Sequence, residues 1–150
     1  TIILMFIGGS PGSTAGGVKT TTIVVLILYV VSNIKRTYGV NAFGRRLEDD
    51  SIKRASSIFT INLFLALTAS LAIMMVQKLP MTDVMFETFS AIGTVGMTTG
   101  ITRSLLPVSR IIIILLMYCG RIGSLSFALS FTQRKKIAHV QQPVERITVG

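Results

Sequence analysis

Charge is scarce in this chain. Charged residues fill 14% of its 150 positions, where a soluble domain carries about 25%. Half of the residues are hydrophobic, and mean hydropathy is +0.68. Acid is scarcer still, with 6 Asp and Glu against 15 Lys and Arg and a net charge of +9. That excess invites a nucleic-acid partner, but most of the basic residues cluster just beyond the ends of apolar runs, where membrane topology signals belong. No RNA- or DNA-binding motif accompanies them, so no nucleic-acid partner is expected. The single cysteine, Cys119, excludes an internal disulfide framework, and its place in an apolar run suits ordinary packing. The single histidine, His139, lies in a polar tail and reads as solvated rather than as a ligand. Asp83 and Glu87 share a helix face at i,i+4, yet no nucleophile or metal cluster gives them a catalytic task, and no enzyme activity is expected. The chain opens without Met inside an apolar segment and is expected to be a fragment of a longer protein.

What is present is a series of apolar runs. Ile2 to Ile7 suits the end of a helix, and the segment Gly8 to Gly17, with five glycines and Pro11, breaks it. Thr20 to Ile34 then resumes an apolar run of about 22 Å, short for a full span. Helix, break, helix is the economical account, and broken helices at membrane depth sit at ion or substrate sites because the freed backbone needs polar partners. A nucleotide-binding loop is excluded: Gly12 and Gly17 have G-x-x-x-x-G spacing, but Val18 intervenes before Lys19. A mobile loop in a permeation path is preferred over a flexible linker, because apolar segments flank it so closely.

Residues 35–54 hold Lys35, Arg36, Arg45, Arg46, Lys53 and Arg54, which marks a cytoplasmic loop by the positive-inside bias. Residues 55–77 are long and apolar enough to span and run outward, with Asn62 available to bond a neighbouring helix. Residues 107–131 return inward behind Pro107, and Arg134, Lys135 and Lys136 close that span on the inner side.

Between these two spans lies T-D-V-M-F-E-T-F-S-A-I-G-T-V-G-M-T-T-G, Thr82 to Gly100. Thr82 is a candidate N-cap for a helix over 82–91, at ~14 Å too short to cross a ~30 Å hydrocarbon core. Glycine-rich extended backbone follows at 92–100. A half-helix and extended backbone between two spans read as a re-entrant pore loop; a β-turn in an outer loop is the bland alternative. Such backbone is tolerated at membrane depth only where it is buried in protein or lines a water-filled path. Bare carbonyls replace the water shell of an alkali cation, so the candidate filter is Thr94, Val95, Gly96, Met97 and Thr98. Gly96 supplies the unusual dihedrals, Thr94 and Thr98 offer hydroxyls, and the negative end of the half-helix dipole near Ala91 favours a cation. Arg121 stands near the middle of the last span at a cost of at least ~2.5 kcal/mol. It is read either as a charge facing the pore or as the partner of Glu87 or of a carboxylate outside this sequence.

The segments Phe6–Thr22 and Phe86–Gly100, with G-R-I-G-S at Gly120–Ser124, resemble the pore-forming subunits of the Trk/Ktr/HKT potassium transporters, most closely the bacterial Ktr type. The resemblance covers nearly the whole chain. It implies an all-α integral membrane protein of four helix–pore loop–helix repeats around one pore. In it, residues 1–34 are the second helix of the third repeat, 55–131 the fourth repeat, and 132–150 a cytoplasmic tail. It implies a gating loop at 8–19, with Gly8, Gly9, Gly12, Ser13, Thr14, Gly16, Gly17 and Lys19 as its residues. Gly96 is the implied filter glycine, and Arg121 stands beside the gating loop. The implied setting is a multi-pass protein of the bacterial cell membrane, in contact with lipid. The implied partners are the missing repeats, a second copy in a homodimer, and a cytoplasmic ring of nucleotide-binding regulatory proteins docking on 35–54 and on the tail. No bound cofactor and no metal site beyond permeant K+ (with Na+ as the alternative) is implied. The expected function is a share of a potassium uptake pore; the alternatives are an ion-coupled secondary transporter with a broken-helix substrate site, and a non-transporting membrane scaffold.

Overall fold

A computed structural model describes residues 1–10, 16–35, 40–42 and 45–123. Among the described residues the regular elements are helices, apart from a two-residue antiparallel ladder in which Asn41 pairs with Arg46 and Ala42 with Arg45. The helices are α1 (Ile2–Phe6), α2 (Thr20–Ile34), α3 (Asp49–Val76), α4 (Met81–Ile92) and α5 (Pro107–Ile122). A 3-10 turn, Ile101–Ser104, precedes α5.

The helix ends differ from expectation where charge or backbone chemistry acts. α3 starts at Asp49 rather than at 55, so Asp49–Arg54 is helix and not loop. Two aspartates in its first turn complement the positive end of the helix dipole, which favours this earlier start. α4 is capped by Pro80, and Thr82 falls inside its first turn instead of at the N-cap. α5 closes at Ile122, because Gly123 takes φ 94° and turns the chain out of the helix. Arg121 therefore lies in the last turn of α5, not at mid-helix, where a cation meets the negative end of the dipole. The expected continuation over 124–131, the tail 132–150 and His139 lie outside the described residues.

α3, at 28 residues, is the one described helix long and apolar enough to cross a membrane; α2 is a shorter apolar helix. The core is the packing of α4 against α3 and α5. Ala66, Ala69, Ser70 and Ile73 recur at the spacing of one helix face and are buried. The small side chains of Ala66, Ala69 and Ser70 let α4 lie close, with Ile73, Val84, Phe89 and Ile92 filling the seam. Ser70 and Thr88 hydroxyls meet at 2.7 Å inside it. α1 joins through Phe6, whose ring stands edge-on to Phe59 and Phe89 with centroids 5.5 Å apart in both pairs. Asn62 is buried in this region too, and its Nδ2 donates to Ile58 O of its own helix at 2.8 Å. At the other end Gln77 bridges the elements, donating to Ser104 O at 3.3 Å and accepting from Leu106 N–H at 3.0 Å. That bridge fixes where the chain between α4 and α5 must return.

Candidate functional site

α4 is followed by an extended arm over residues 94–100, and the turn between them is unusual. Thr94 N–H donates to Ala91 O at 3.1 Å and Val95 N–H to Ser90 O at 3.0 Å, the paired bonds of a Schellman cap. That cap needs a left-handed residue, normally glycine, yet here Thr94 holds φ 52°. A β-branched side chain there costs roughly 1–3 kcal/mol, and such strain persists only when the surroundings require that side chain. The surroundings supply a reason: Gly16 N–H donates to Thr94 Oγ1 at 2.8 Å.

Gly16 belongs to the break between α1 and α2, and the break is stitched to the rest of the fold by backbone. Ile7 and Val18 form a parallel bridge, Gly8 N–H donates to Val18 O at 2.6 Å, and Thr20 N–H to Gly9 O at 3.4 Å. Gly17 N–H reaches Gly120 O of α5 at 3.4 Å. Space at this junction is exhausted. A Cβ on Gly16 would lie 2.6 Å from both Gly120 O and Thr94 Cγ2, and one on Gly93 would lie 2.5 Å from Met5 O. A Cβ on Gly120 would overlap Ile92 O, with Ile92 C at 2.9 Å. Three chain segments thus meet backbone to backbone at the foot of the arm.

The arm itself is exposed from Val95 to Gly100 and is held by side chains of α4. Ser90 Oγ donates to Met97 O at 2.6 Å. Glu87, 6% exposed, accepts on Oε1 from the Thr98 hydroxyl, from Thr99 N–H at 3.2 Å and from the Thr102 hydroxyl at 3.0 Å. Gly96 takes φ 79°, and a Cβ there would meet nothing within 4 Å.

A family model described as cation transport protein, TrkH, matches residues 1–139. This chain belongs to the TrkH family. It is 37% identical over its whole length to the potassium/sodium uptake protein NtpJ of Enterococcus hirae, covering 35% of that protein. It is 34% identical to the Ktr system potassium uptake protein B of Bacillus subtilis, again over the whole chain and 34% of the relative. With the Vibrio alginolyticus Ktr system potassium uptake protein B the identity is 31% over 99% of the chain and 32% of the relative. The chain therefore spans about a third of the length of these curated relatives.

In this TrkH-family chain the predicted site residues fall into two connected groups. Thr94, Val95, Gly96, Met97 and Thr98 form the arm, and Gly8, Gly9, Gly16, Gly17 and Lys19 belong to the break. Gly16 is buried at the junction, while Lys19 is exposed at the start of α2. Gly12, Ser13 and Thr14 lie outside the described residues. The two threonine hydroxyls are already engaged, Thr94 with the break and Thr98 with Glu87. Glu87, named in the sequence as an alternative partner for Arg121, directs its Oε1 at the arm. Arg121 follows Gly120, so it stands directly beside the point where the break touches α5. Sequence reasoning gave Ser90 no role and Glu87 no role toward the arm. The signal was E-x-x-S on α4 just before the glycines, a spacing that puts both residues on one helix face.

Proposed function

We propose that this chain supplies part of the ion path of a potassium uptake channel or transporter, with 94–98 as one segment of the cation filter and 8–19 as the gate at its foot. Thr94 carries the reading. It ends a half-helix, begins an extended arm, and is held in a strained conformation with its hydroxyl on the glycine break. A bland turn has no need of that strain. The C-terminal end of α4 brings about half a negative charge to the foot of the arm, which favours a dehydrated cation there. The arm's carbonyls then replace the cation's water shell. Potassium, with sodium as the alternative, is the permeant ion that the relatives' names support.

In this reading α4 is a re-entrant pore helix between two spans, in a multi-pass subunit of the cell membrane that carries further repeats. A second copy and a cytoplasmic ring of nucleotide-binding regulators are its partners, the basic loop and the tail being their docking surfaces. The chain itself binds no cofactor. The word "system" in the names of the Bacillus relatives supports a multi-component assembly.

The test is potassium-limited growth of an uptake-deficient bacterium carrying the full-length protein and its partners, wild type beside Gly96→Asp. A Cβ at Gly96 meets no neighbour and pays only for φ 79° in an exposed arm, so the variant is expected to accumulate in the membrane. The carboxylate on the open face of the arm abolishes rescue. Gly96→Ser at the same site lowers the preference for potassium over sodium and leaves insertion intact. Rescue by Gly96→Asp equal to wild type removes Gly96 from the filter. No rescue by either protein, with both present in the membrane, favours an ion-coupled transporter with its substrate at the broken helix.

A further inference from the structure

We propose that Glu87 is a positioning residue for the filter, fastening the outer end of the arm to the half-helix; this rests on the filter reading above. A buried carboxylate is costly unless donors satisfy it, and the donors it meets identify what it serves. All three that converge on Oε1 come from one stretch of chain: the Thr98 hydroxyl, Thr99 N–H and the Thr102 hydroxyl. The same stretch is folded on itself, because Gly100 N–H donates to Thr98 Oγ1 at 2.9 Å and the Thr98 and Thr102 hydroxyls, both directed at Glu87, lie 2.7 Å apart. Glu87 thus grips a preformed loop, and it grips that loop where the arm leaves the filter.

Within this chain, packing does little of this work. Residues 95–100 are exposed, and a cavity of about 300 Å³ lies beside the arm, lined by Glu87, Ser90, Thr102 and by Ile113 and Met117 of α5. Within the described residues, an arm with open space next to it is held chiefly by its hydrogen bonds. Two residues of one α4 face provide them: Ser90 holds Met97 O, and Glu87 holds Thr98 and Thr99. Selectivity of a carbonyl filter depends on where those oxygens stand and how freely they move. Glu87 therefore acts on the ion through the backbone of the arm and without touching it.

Initial uptake rates in the full-length protein with its partners test this, measured against potassium concentration and in competition with sodium. Glu87→Ala is expected to raise KM for potassium and to lower the potassium-to-sodium ratio at least about tenfold, as loss of charge-assisted bonds implies. The maximal rate per assembled protein changes less. Glu87→Gln keeps an oxygen acceptor in place and restores most of both quantities. Thr102→Val removes one donor outside the filter and moves both in the same direction by about two- to fivefold. A Glu87→Ala protein that accumulates and keeps wild-type KM and ion ratio overturns the proposal. If that variant does not accumulate, unchanged values in Thr102→Val overturn it instead. Glu87→Gln as impaired as Glu87→Ala also overturns it, since the tether is then not what matters. A wild-type protein that carries no potassium at all overturns the filter reading itself, a separable result.

Discussion

Gly120→Ala is expected to cost about 3 kcal/mol or more and to remove most of the assembled protein from the membrane. The added methyl has no place to go: its carbon would overlap Ile92 O and stand 2.9 Å from Ile92 C. Neither atom belongs to a flexible side chain, so relief requires α5 to move away from the C-terminal end of α4. That movement also strips Gly17 of its bond to Gly120 O and pulls α5 from the break. Abundance of the full-length protein and its melting temperature in detergent measure the loss. Gly96→Ala is the matched control, since its methyl enters open space and pays only for φ 79° in an exposed arm. Equal stability of the two variants would mean that α4 and α5 do not approach so closely.

The contrast between these two glycines shows what a sequence discloses and what it conceals. Helix and break were legible between residues 2 and 34, because apolar runs stop abruptly at Gly8 and resume at Thr20, and backbone propensity alone forces that reading. The short helix α4 was legible for the same reason, at nearly the observed limits. Helix ends set by local electrostatics were not: the apolar pattern begins at Ala55, whereas Asp49 and Asp50 carry α3 a turn and a half further. The end of α5 was missed because Gly123 sits among apolar and small residues, and only its φ of 94° reveals that it stops the helix. In the candidate site, glycine density marked segments that the structure brings together, but the distinction between a glycine required by conformation and one required by approach needs a partner. Gly96 is of the first kind, Gly120 of the second. Glu87 had no legible task because its donors lie eleven to fifteen residues later, on a loop whose fold hydropathy does not encode.

Gly16→Ala tests how the break and the arm communicate, and under the proposed function a gain of transport is expected. The new Cβ would stand 2.6 Å from Gly120 O and 2.7 Å from Thr94 Oγ1, the acceptor of the Gly16 N–H bond. Rotating the Thr94 side chain away breaks its bond to Gly16 N–H, and Gly120 O is backbone, so the break yields first. Overpacking of about 1–3 kcal/mol against the seated position shifts its balance with a displaced one by roughly 5- to 150-fold. If the seated break obstructs the foot of the filter, displacing it raises potassium uptake and makes uptake less dependent on the cytoplasmic partners. Uptake at saturating potassium, with and without those partners, is the measurement. A fall in uptake at equal abundance would give the Gly16–Thr94 bond the opposite meaning: the break would then be holding the innermost filter residue in its working conformation, and the strain at Thr94 would serve conduction rather than closure.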